Sequence, residues 1–194
     1  MDVNPVEIRV LGCLIEKQRT TPDAYPLSLN SLRLACNQAT SREPVVDYDE
    51  PTIRAALEHL SRRGWVRLAS GPGSRAAKYR HLFDDALSLD GPDISLLAVL
   101  MLRGPQTAAE LKQRTERLHA FAPGEVEETL ARLAERELVA RTPRRPGEKG
   151  ERYTQLLSGE EEPTESGMAA PDTLEERVAR LEEEVARLRE ELGR

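Results

Sequence analysis

One stretch of the sequence, residues 49–79, constrains the fold more than any other because a helical pattern runs directly into a strand pattern. Apolar side chains recur at the spacing that gives a helix one buried face: Ile53, Leu57 and Leu60. Residues 65–69 then alternate as a strand does, residues 71–74 form a Gly/Pro turn, and residues 76–81 return as a partner strand. A helix that leads directly into a two-stranded hairpin is typical of the second half of a winged helix.

The same pattern occurs a second time, 73 positions later in the chain. The apolar stripe of the first helix is matched by Val126, Leu130 and Leu133. The strand residues also correspond: Trp65-Val66 with Leu138-Val139, and Lys78-Tyr79 with Arg152-Tyr153. Two copies of a helix followed by a hairpin indicate a duplicated domain. A chain of 194 residues has room for about two small domains, and we predict winged-helix domains at 1–88 and 89–157.

The composition changes after these two domains. Residues 158–171 are acidic and rich in Pro, Gly and Ser, which is typical of a flexible linker. In the last segment, 172–194, apolar residues alternate at intervals of four and three, as in a heptad seam: Leu174, Val178, Leu181, Val185, Leu188 and Leu192. Valine at a positions and leucine at d positions favour two parallel strands, so these six residues are candidates for homodimerisation. The alternative is a lone surface helix or one folded back on its own domains, because the segment is short.

The predicted fold class is therefore mainly α, of the α+β type, with two tandem winged-helix domains followed by a C-terminal coiled-coil helix. In the first domain we expect a helix at 5–17, a loop with a short extended piece at 20–27, and a helix at 29–37 capped by Ser28. Residues 82–93 are interpreted as the interdomain connection. In the second domain we expect helices at 94–102, 107–118 and 124–137, the second of which opens with a capping box.

Composition places the protein in the cytoplasm and away from membranes. The longest apolar run, Ile94–Leu102, is too short to span a bilayer, and the N-terminus lacks the pattern of a signal peptide. Cys13 and Cys36 show no CxxC spacing, which fits a reducing compartment, and Cys13 is expected to be a small buried side chain rather than a reactive thiol. The formal net charge of −6 comes from the tail, since both domains are close to neutral.

Several long runs of residues 5–48 carry a family resemblance: LGCLIEK, TTPDAYPLSLN and ACNQATSREPV. Together with GSRAAKYRH in the first hairpin and RTERLHAF in the second domain, they resemble the bacterial YceH family of uncharacterised proteins. The resemblance covers roughly residues 4–158 and implies a tandem winged-helix architecture, but no settled biochemical activity. The chain departs from internal symmetry after the hairpins, where His81 of the first copy corresponds to Gln155 of the second.

The loop between the second and third helices, 37–45, admits two interpretations. In the first, Asn37 ends the second helix while Arg42 and Glu43 brace the loop. In the second, the loop is a contact surface in which Gln38, Ser41 and Arg42 lie beside the helix that would enter a DNA groove.

Double-stranded DNA is the partner that this fold most readily accommodates, since a winged helix places its third helix in the major groove and its hairpin on the backbone. The outward strip of the third helix holds Ala55, Glu58, His59 and Arg62, with Arg54 beside it. The hairpin adds four cations that can neutralise phosphates: Arg67, Arg75, Lys78 and Arg80. The corresponding helix strip of the second copy is acidic, with Glu125, Glu128, Arg132 and Glu135. DNA contact is therefore expected from the first domain.

An enzyme is not expected. The three histidines are scattered, no metal-ligand spacing is present, and the sequence lacks GxSxG, HExxH and phosphate-cradling glycine loops, so no cofactor or metal is predicted. The leading hypothesis is a dimeric DNA-binding protein of regulatory type. The alternative is a protein-interaction module or scaffold that uses its winged helices and coiled coil without binding DNA, which the neutral domains and the acidic second strip favour.

Overall fold

The computed structural model describes residues 3–69, 77–142 and 150–158, which belong to one compact unit spanning residues 1–159. In these residues the protein is a mixed α/β structure with seven α-helices and two small antiparallel sheets, which confirms the predicted class at that level. No helix in the described part of the chain is long and apolar enough to cross a membrane. Four predicted features lie outside the described residues: the tip of the first hairpin with Arg75, the second turn at 143–149, the linker beyond Ser158, and the segment 172–194.

The first half has the order helix, short strand, two helices and hairpin. Its elements are α1 (Pro5–Thr20), β1 (Leu27–Ser28), α2 (Leu29–Cys36), α3 (Glu50–Arg62), β2 (Val66–Leu68) and β3 (Lys78–His81). Side chains cap all three helices, at Ser28 as predicted and also at Asn4 and Asp49: each accepts a hydrogen bond from a first-turn N–H. In the sheet, β3 lies between β1 and β2 and pairs antiparallel with both.

The second half repeats this order after one additional short helix, with an isolated bridge in place of the short strand. Its elements are α4 (Phe83–Leu87), α5 (Gly91–Arg103), α6 (Ala108–Thr115), α7 (Glu125–Glu135), β4 (Val139–Thr142) and β5 (Arg152–Gln155). Gln106 forms an isolated β-bridge with Tyr153, as Leu27 of β1 pairs with Tyr79 in the first half. The next residue, Thr107, caps α6 with the predicted capping box.

Both halves join helix to hairpin by the same turn. The second residue after each helix has a positive φ, 74° at Gly64 and 54° at Glu137. The following N–H, of Trp65 or Leu138, donates back to a carbonyl in the last helical turn, over 3.0 Å in both cases. Glycine adopts this left-handed conformation freely, whereas glutamate adopts it at a cost of roughly 1–2 kcal/mol. The two junctions therefore have the same backbone structure, but the one at Glu137 is locally less stable than the one at Gly64.

Helix α1 is the centre of the core and is buried on more than one side. Residues Glu7 to Ile15 are all buried because α1 packs against α2 and α3 of its own half and against α5 of the other. The approach to α5 is close at Gly12, where a Cβ atom would lie 3.0 Å from Leu102 Cγ and 3.1 Å from Met101 Cβ. The two halves therefore share a packed interface, while the domain boundaries stay a prediction.

Residues 82–93, which were predicted to connect the two domains, contain helical structure. The segment contains α4 and the start of α5, which begins at Gly91 rather than at residue 94. Phe83 is fully buried and its ring meets that of Trp65 edge to face at 4.9 Å between centroids. Asp90 caps α5 through a capping box with Asp93. Residues 82–93 are therefore an ordered segment, with a buried aromatic residue and a helix cap.

Candidate nucleic-acid interface

A groove of about 480 Å³ lies on the solvent-facing side of α3. It is lined by Arg54, Leu57, Glu58, Ser61 and Arg62 of α3 and by Tyr79 of β3. The opposite face of α3 is held in the core by its apolar stripe, of which Ile53 and Leu60 are fully buried. Because apolar residues recur with the helical period on one face of α3, the polar residues lie on the other face and line the groove.

Two cations dominate the groove. Arg54 and Arg62 lie eight positions apart on α3 with Glu58 midway between them, so all three project from the same face of the helix. Both arginines are exposed, and no carboxylate of the described residues forms an ion pair with either. Their positive charges are thus available to an anionic ligand.

Tyr79 forms the other wall of the groove and was absent from the candidate residues drawn from the sequence. Its strand partner on β2 is Leu68, which is 57% exposed. Alternation along β3 places Tyr79 on the same sheet face as His81, and the pairing of His81 with the buried Val66 turns that face toward the helices. The strand period was the signal that could have identified Tyr79.

The cations of the described hairpin strands, Arg67, Lys78 and Arg80, lie on the other face of the sheet. Arg67 on β2 is directly opposite Arg80 on β3, and the exposed Lys78 is paired with Ser28 of β1. Because side chains alternate along a strand, these cations point away from the face that carries Tyr79. Arg80 is half-buried and its Nε atom has no hydrogen-bond partner among the described residues. The structure therefore separates the cations of the hairpin strands from the groove.

The interpretation of Arg42 as a surface contact for DNA is wrong, because its side chain is fully buried. Arg42 instead braces the loop from inside. The guanidinium donates from Nε to the Ala35 carbonyl at 3.0 Å and from Nη2 to Glu16 Oε2 at 2.6 Å. It also donates to Gln38 Oε1 at 2.9 Å, so Gln38 is engaged in the same network. Burial and complete hydrogen bonding leave Arg42 unavailable to a phosphate.

The rest of the loop anchors the first half to α5. The backbone N–H of Glu43 donates to the Leu102 carbonyl at 2.8 Å, and the Arg103 guanidinium donates to the exposed Ser41 hydroxyl. Arg9 of α1 donates to the Pro44 carbonyl at 2.6 Å. These hydrogen bonds brace the loop, as the first interpretation of residues 37–45 predicted. Ser41 therefore already has a hydrogen-bond partner within the protein.

Asn37 holds the segment that leads into α3. Its amide nitrogen donates to the Tyr48 carbonyl at 2.9 Å and to Asp47 Oδ1 at 3.1 Å, and its oxygen accepts from the Tyr48 N–H at 2.9 Å. Because Asp49 is the cap of α3, this clamp sets where the groove helix begins.

His59 is outside the groove. It lies on the side of α3 that faces α1, where its Nδ1 is 2.9 Å from Oε1 of the buried Glu7. Glu7 also accepts from the backbone N–H of Asn4 in the capping box of α1. His59 therefore joins two helices, although its ring remains about half exposed.

The equivalent face of the second half carries the opposite charge. At the offset of 73, Arg54 and Arg62 correspond to Glu127 and Glu135, both exposed on α7. The cation of this helix that the sequence singled out, Arg132, donates to Asp93 Oδ1 at 2.6 Å, and this hydrogen bond to the buried carboxylate raises the pKa of Arg132. The two copies therefore share a helix followed by a hairpin, but they differ in the charge that this helix exposes.

His81 is the one histidine that is fully buried in the described residues. Its Nε2 lies 2.6 Å from Gln18 Oε1, and burial lowers its pKa from 6.5 to about 4, so the ring is neutral at pH 7. Nothing within residues 3–69, 77–142 and 150–158 groups three His, Cys, Asp or Glu side chains into a metal site. His81 is thus a structural residue of the core.

Fold and groove together define a helix-rich mixed α/β protein with a small cationic surface on one of two helix-plus-hairpin units. The chain belongs to the family described as protein of unknown function, DUF480, whose model matches residues 3–148. A UPF0502 protein of Geotalea uraniireducens is 49% identical over 182 residues, which cover 92% of this chain and 83% of the relative. A UPF0502 protein of Azotobacter vinelandii is 50% identical over 160 residues, or 82% of this chain and 71% of that one. Family membership is shown under these names, which do not include YceH.

Proposed function

We propose that this protein binds double-stranded DNA as a regulator of transcription and that the α3 groove is its contact surface. The observation that carries the proposal is the pair of exposed arginines, Arg54 and Arg62, on one face of a helix with no ion-pair partner among the described residues. Two turns of helix separate them, so they can reach successive phosphates or base edges along a groove.

The order of elements supports a winged-helix assignment for both halves, at 1–88 and 89–157, within a YceH-type protein. In that architecture α3 is the recognition helix and the β2–β3 hairpin is the wing. The wing strands offer Arg67 and Arg80 on the sheet face away from the groove, where they contact the phosphate backbone rather than bases.

The difference between the copies supports DNA contact by the first domain rather than by the second. Carboxylates at the positions of the second copy that correspond to Arg54 and Arg62 would repel phosphates. We further propose that the protein is a cytoplasmic homodimer joined through the heptad seam of 172–194 and that it is not an enzyme. A two-fold dimer would then place two first-domain grooves on one duplex.

The decisive experiment is a salt titration of binding to a random-sequence duplex, followed by fluorescence anisotropy. The groove variant carries Arg54→Gln and Arg62→Gln. If both arginines contact phosphates, affinity should fall about tenfold or more at low salt, and the slope of log affinity against log salt should fall by about two.

A matched control removes the same net charge away from the groove. Arg114→Gln with Arg117→Gln alters α6 and the turn that follows it, and this variant should keep the wild-type affinity and slope. Absence of binding by the wild-type protein at low salt would refute the proposal, as would equal losses in both variants.

A second candidate function, a protein-interaction module, is favoured by α7. Its exposed strip carries Glu127 and Glu135, and Arg136 of the following turn donates to the carbonyls of Leu87 and Ser88 instead of projecting to a ligand. An acidic helix face of this kind fits a basic protein partner. Retention of a specific protein partner by a Glu127→Lys, Glu135→Lys variant would count against this role of α7.

A further inference from the structure

One carboxylate lies between the two arginines of the α3 groove. Glu58 lines the groove together with Arg54 and Arg62, four positions after the first and four before the second, so about 6 Å of helix axis separates it from each. All three side chains are exposed, and within residues 3–69, 77–142 and 150–158 no ion pair or hydrogen bond holds the Glu58 carboxylate. The groove face of α3 therefore presents its charges in the order positive, negative, positive.

A carboxylate in a surface that binds DNA is unfavourable unless it has a partner of its own, because it repels the phosphates. The major groove, which is wide enough to admit an α-helix, offers such a partner in the amino groups of cytosine and adenine. Adenine N6 lies between two acceptors, adenine N7 and thymine O4, whereas cytosine N4 has an acceptor on one side only. Cytosine N4 is therefore the base-edge group that best fits the Glu58 carboxylate.

The second half provides an internal comparison. At the offset of 73 positions, the three charged residues of the groove correspond to exposed residues of α7: Glu127, Ala131 and Glu135. In α7 the two outer positions carry carboxylates, and the alanine between them has no hydrogen-bonding group. Of these two equivalent helices, only α3 combines flanking cations with a central acceptor.

We propose that Glu58 gives the DNA contact a base preference by accepting a hydrogen bond from the N4 amino group of a cytosine in the major groove. This inference rests on the proposed function, since it requires the α3 groove to lie on a duplex. Arg54 and Arg62 hold the helix in register on the phosphate backbone on either side. Because base pairs follow one another at about 3.4 Å, the helix axis between Glu58 and each arginine spans about two base pairs. The preferred site is thus a C·G pair at the centre of about five base pairs.

The test selects duplexes from a random-sequence library with the full-length protein and sequences the bound fraction. The wild-type protein should enrich duplexes that carry cytosine at one fixed position. Fluorescence anisotropy should then show about tenfold weaker binding when that C·G pair is replaced by T·A, because the O4 acceptor of thymine takes the place of the amino donor.

Two substitutions of Glu58 separate its role in base preference from a role in folding. In Glu58→Ala the preference at this position should disappear, while affinity for a random duplex at low salt should rise about two- to threefold as one repulsive charge is lost. In Glu58→Gln the preferred base should change from cytosine to adenine, because an amide pairs with adenine N6 and N7. Both replacements are good helix formers at an exposed position, so α3 should remain intact.

The matched control is Glu127→Ala, which removes an exposed carboxylate from the equivalent helix of the second half and should keep the wild-type base preference. If the wild-type protein binds duplexes but enriches no cytosine, or if Glu58→Ala selects the same sequences as the wild type, the inference is overturned while the proposed function stands. If the wild-type protein binds no duplex even at low salt, the proposed function is refuted and this inference falls with it.

Discussion

Lowering the pH from 7.5 to 5 should destabilise this protein in large part through one residue, His81. Its ring is fully buried, with Nε2 at 2.6 Å from Gln18 Oε1, and its backbone N–H donates to the Tyr25 hydroxyl at 2.8 Å. Burial lowers the pKa of His81 from 6.5 to about 4, against the opposing effect of Asp84, whose carboxylate is 3.4 Å from Nδ1. At pH 5 the unfolded chain therefore protonates His81, whereas the native protein leaves most of it unprotonated.

The sign and size of the effect follow from proton linkage. Between pH 6.5 and pH 4 the unfolded chain binds more protons at this position than the native protein does, so stability falls as the pH falls. The contribution is fully present above about pH 6.5. A shift from 6.5 to about 4 corresponds to a total of about 3 kcal/mol, of which about 2 kcal/mol is lost by pH 5.

Urea unfolding at the two pH values, followed by tryptophan fluorescence, measures this loss. Trp65 is the single tryptophan of the chain and packs against Phe83, so its emission reports the core beside His81. Because carboxylates titrate over the same range, the informative quantity is the pH-dependent loss of the wild type minus that of His81→Gln. We expect a difference of about 2 kcal/mol, whereas His119→Gln should retain the wild-type pH dependence.

An equal loss of stability in the wild type and in His81→Gln would refute this reasoning. It would mean that the native protein protonates His81 without cost. The ring would then have to be open to water or paired with Asp84 more closely than the structure shows.

Three further predictions concern backbone conformation and packing, and urea unfolding at pH 7.5 checks each of them. Glu137→Gly should stabilise the protein by about 1 kcal/mol and Gly64→Ala should destabilise it by a similar amount, because both positions have positive φ; opposite results would show that the shared turn is not a source of strain. Gly12→Val should cost about 1–3 kcal/mol, since its added atoms meet α5, and a neutral effect would contradict the close packing of α1 on α5. Arg132→Met should cost about 1–3 kcal/mol by leaving the buried Asp93 carboxylate without its 2.6 Å partner, and an unchanged midpoint would show that the pair adds nothing.

Local pattern determined much of the fold. The stripe of α3 and its copy in α7 were visible because a helix buries every third or fourth residue, and both sets of three apolar residues are buried as predicted. The caps at Ser28 and Thr107 were visible because a helix start needs side-chain acceptors that only a few residue types supply. The strip that faces the groove followed from the same period, so Arg54 and Arg62 were candidates before any coordinates.

What depended on contacts between distant residues could not be read from pattern. The sequence did not show that Arg42 turns inward, because its partner Glu16 is 26 positions away, nor that Tyr79 forms a wall of the groove, because that depends on how the sheet lies against α3.

Helix α1 shows the limit most clearly. A single amphipathic stripe accounts for one buried face, and its second buried face exists because α5 packs there, with Gly12 at the closest approach. Sequence periodicity shows that one face of a helix is apolar. Only tertiary packing decides which element covers that face and which polar side chains are buried beside it.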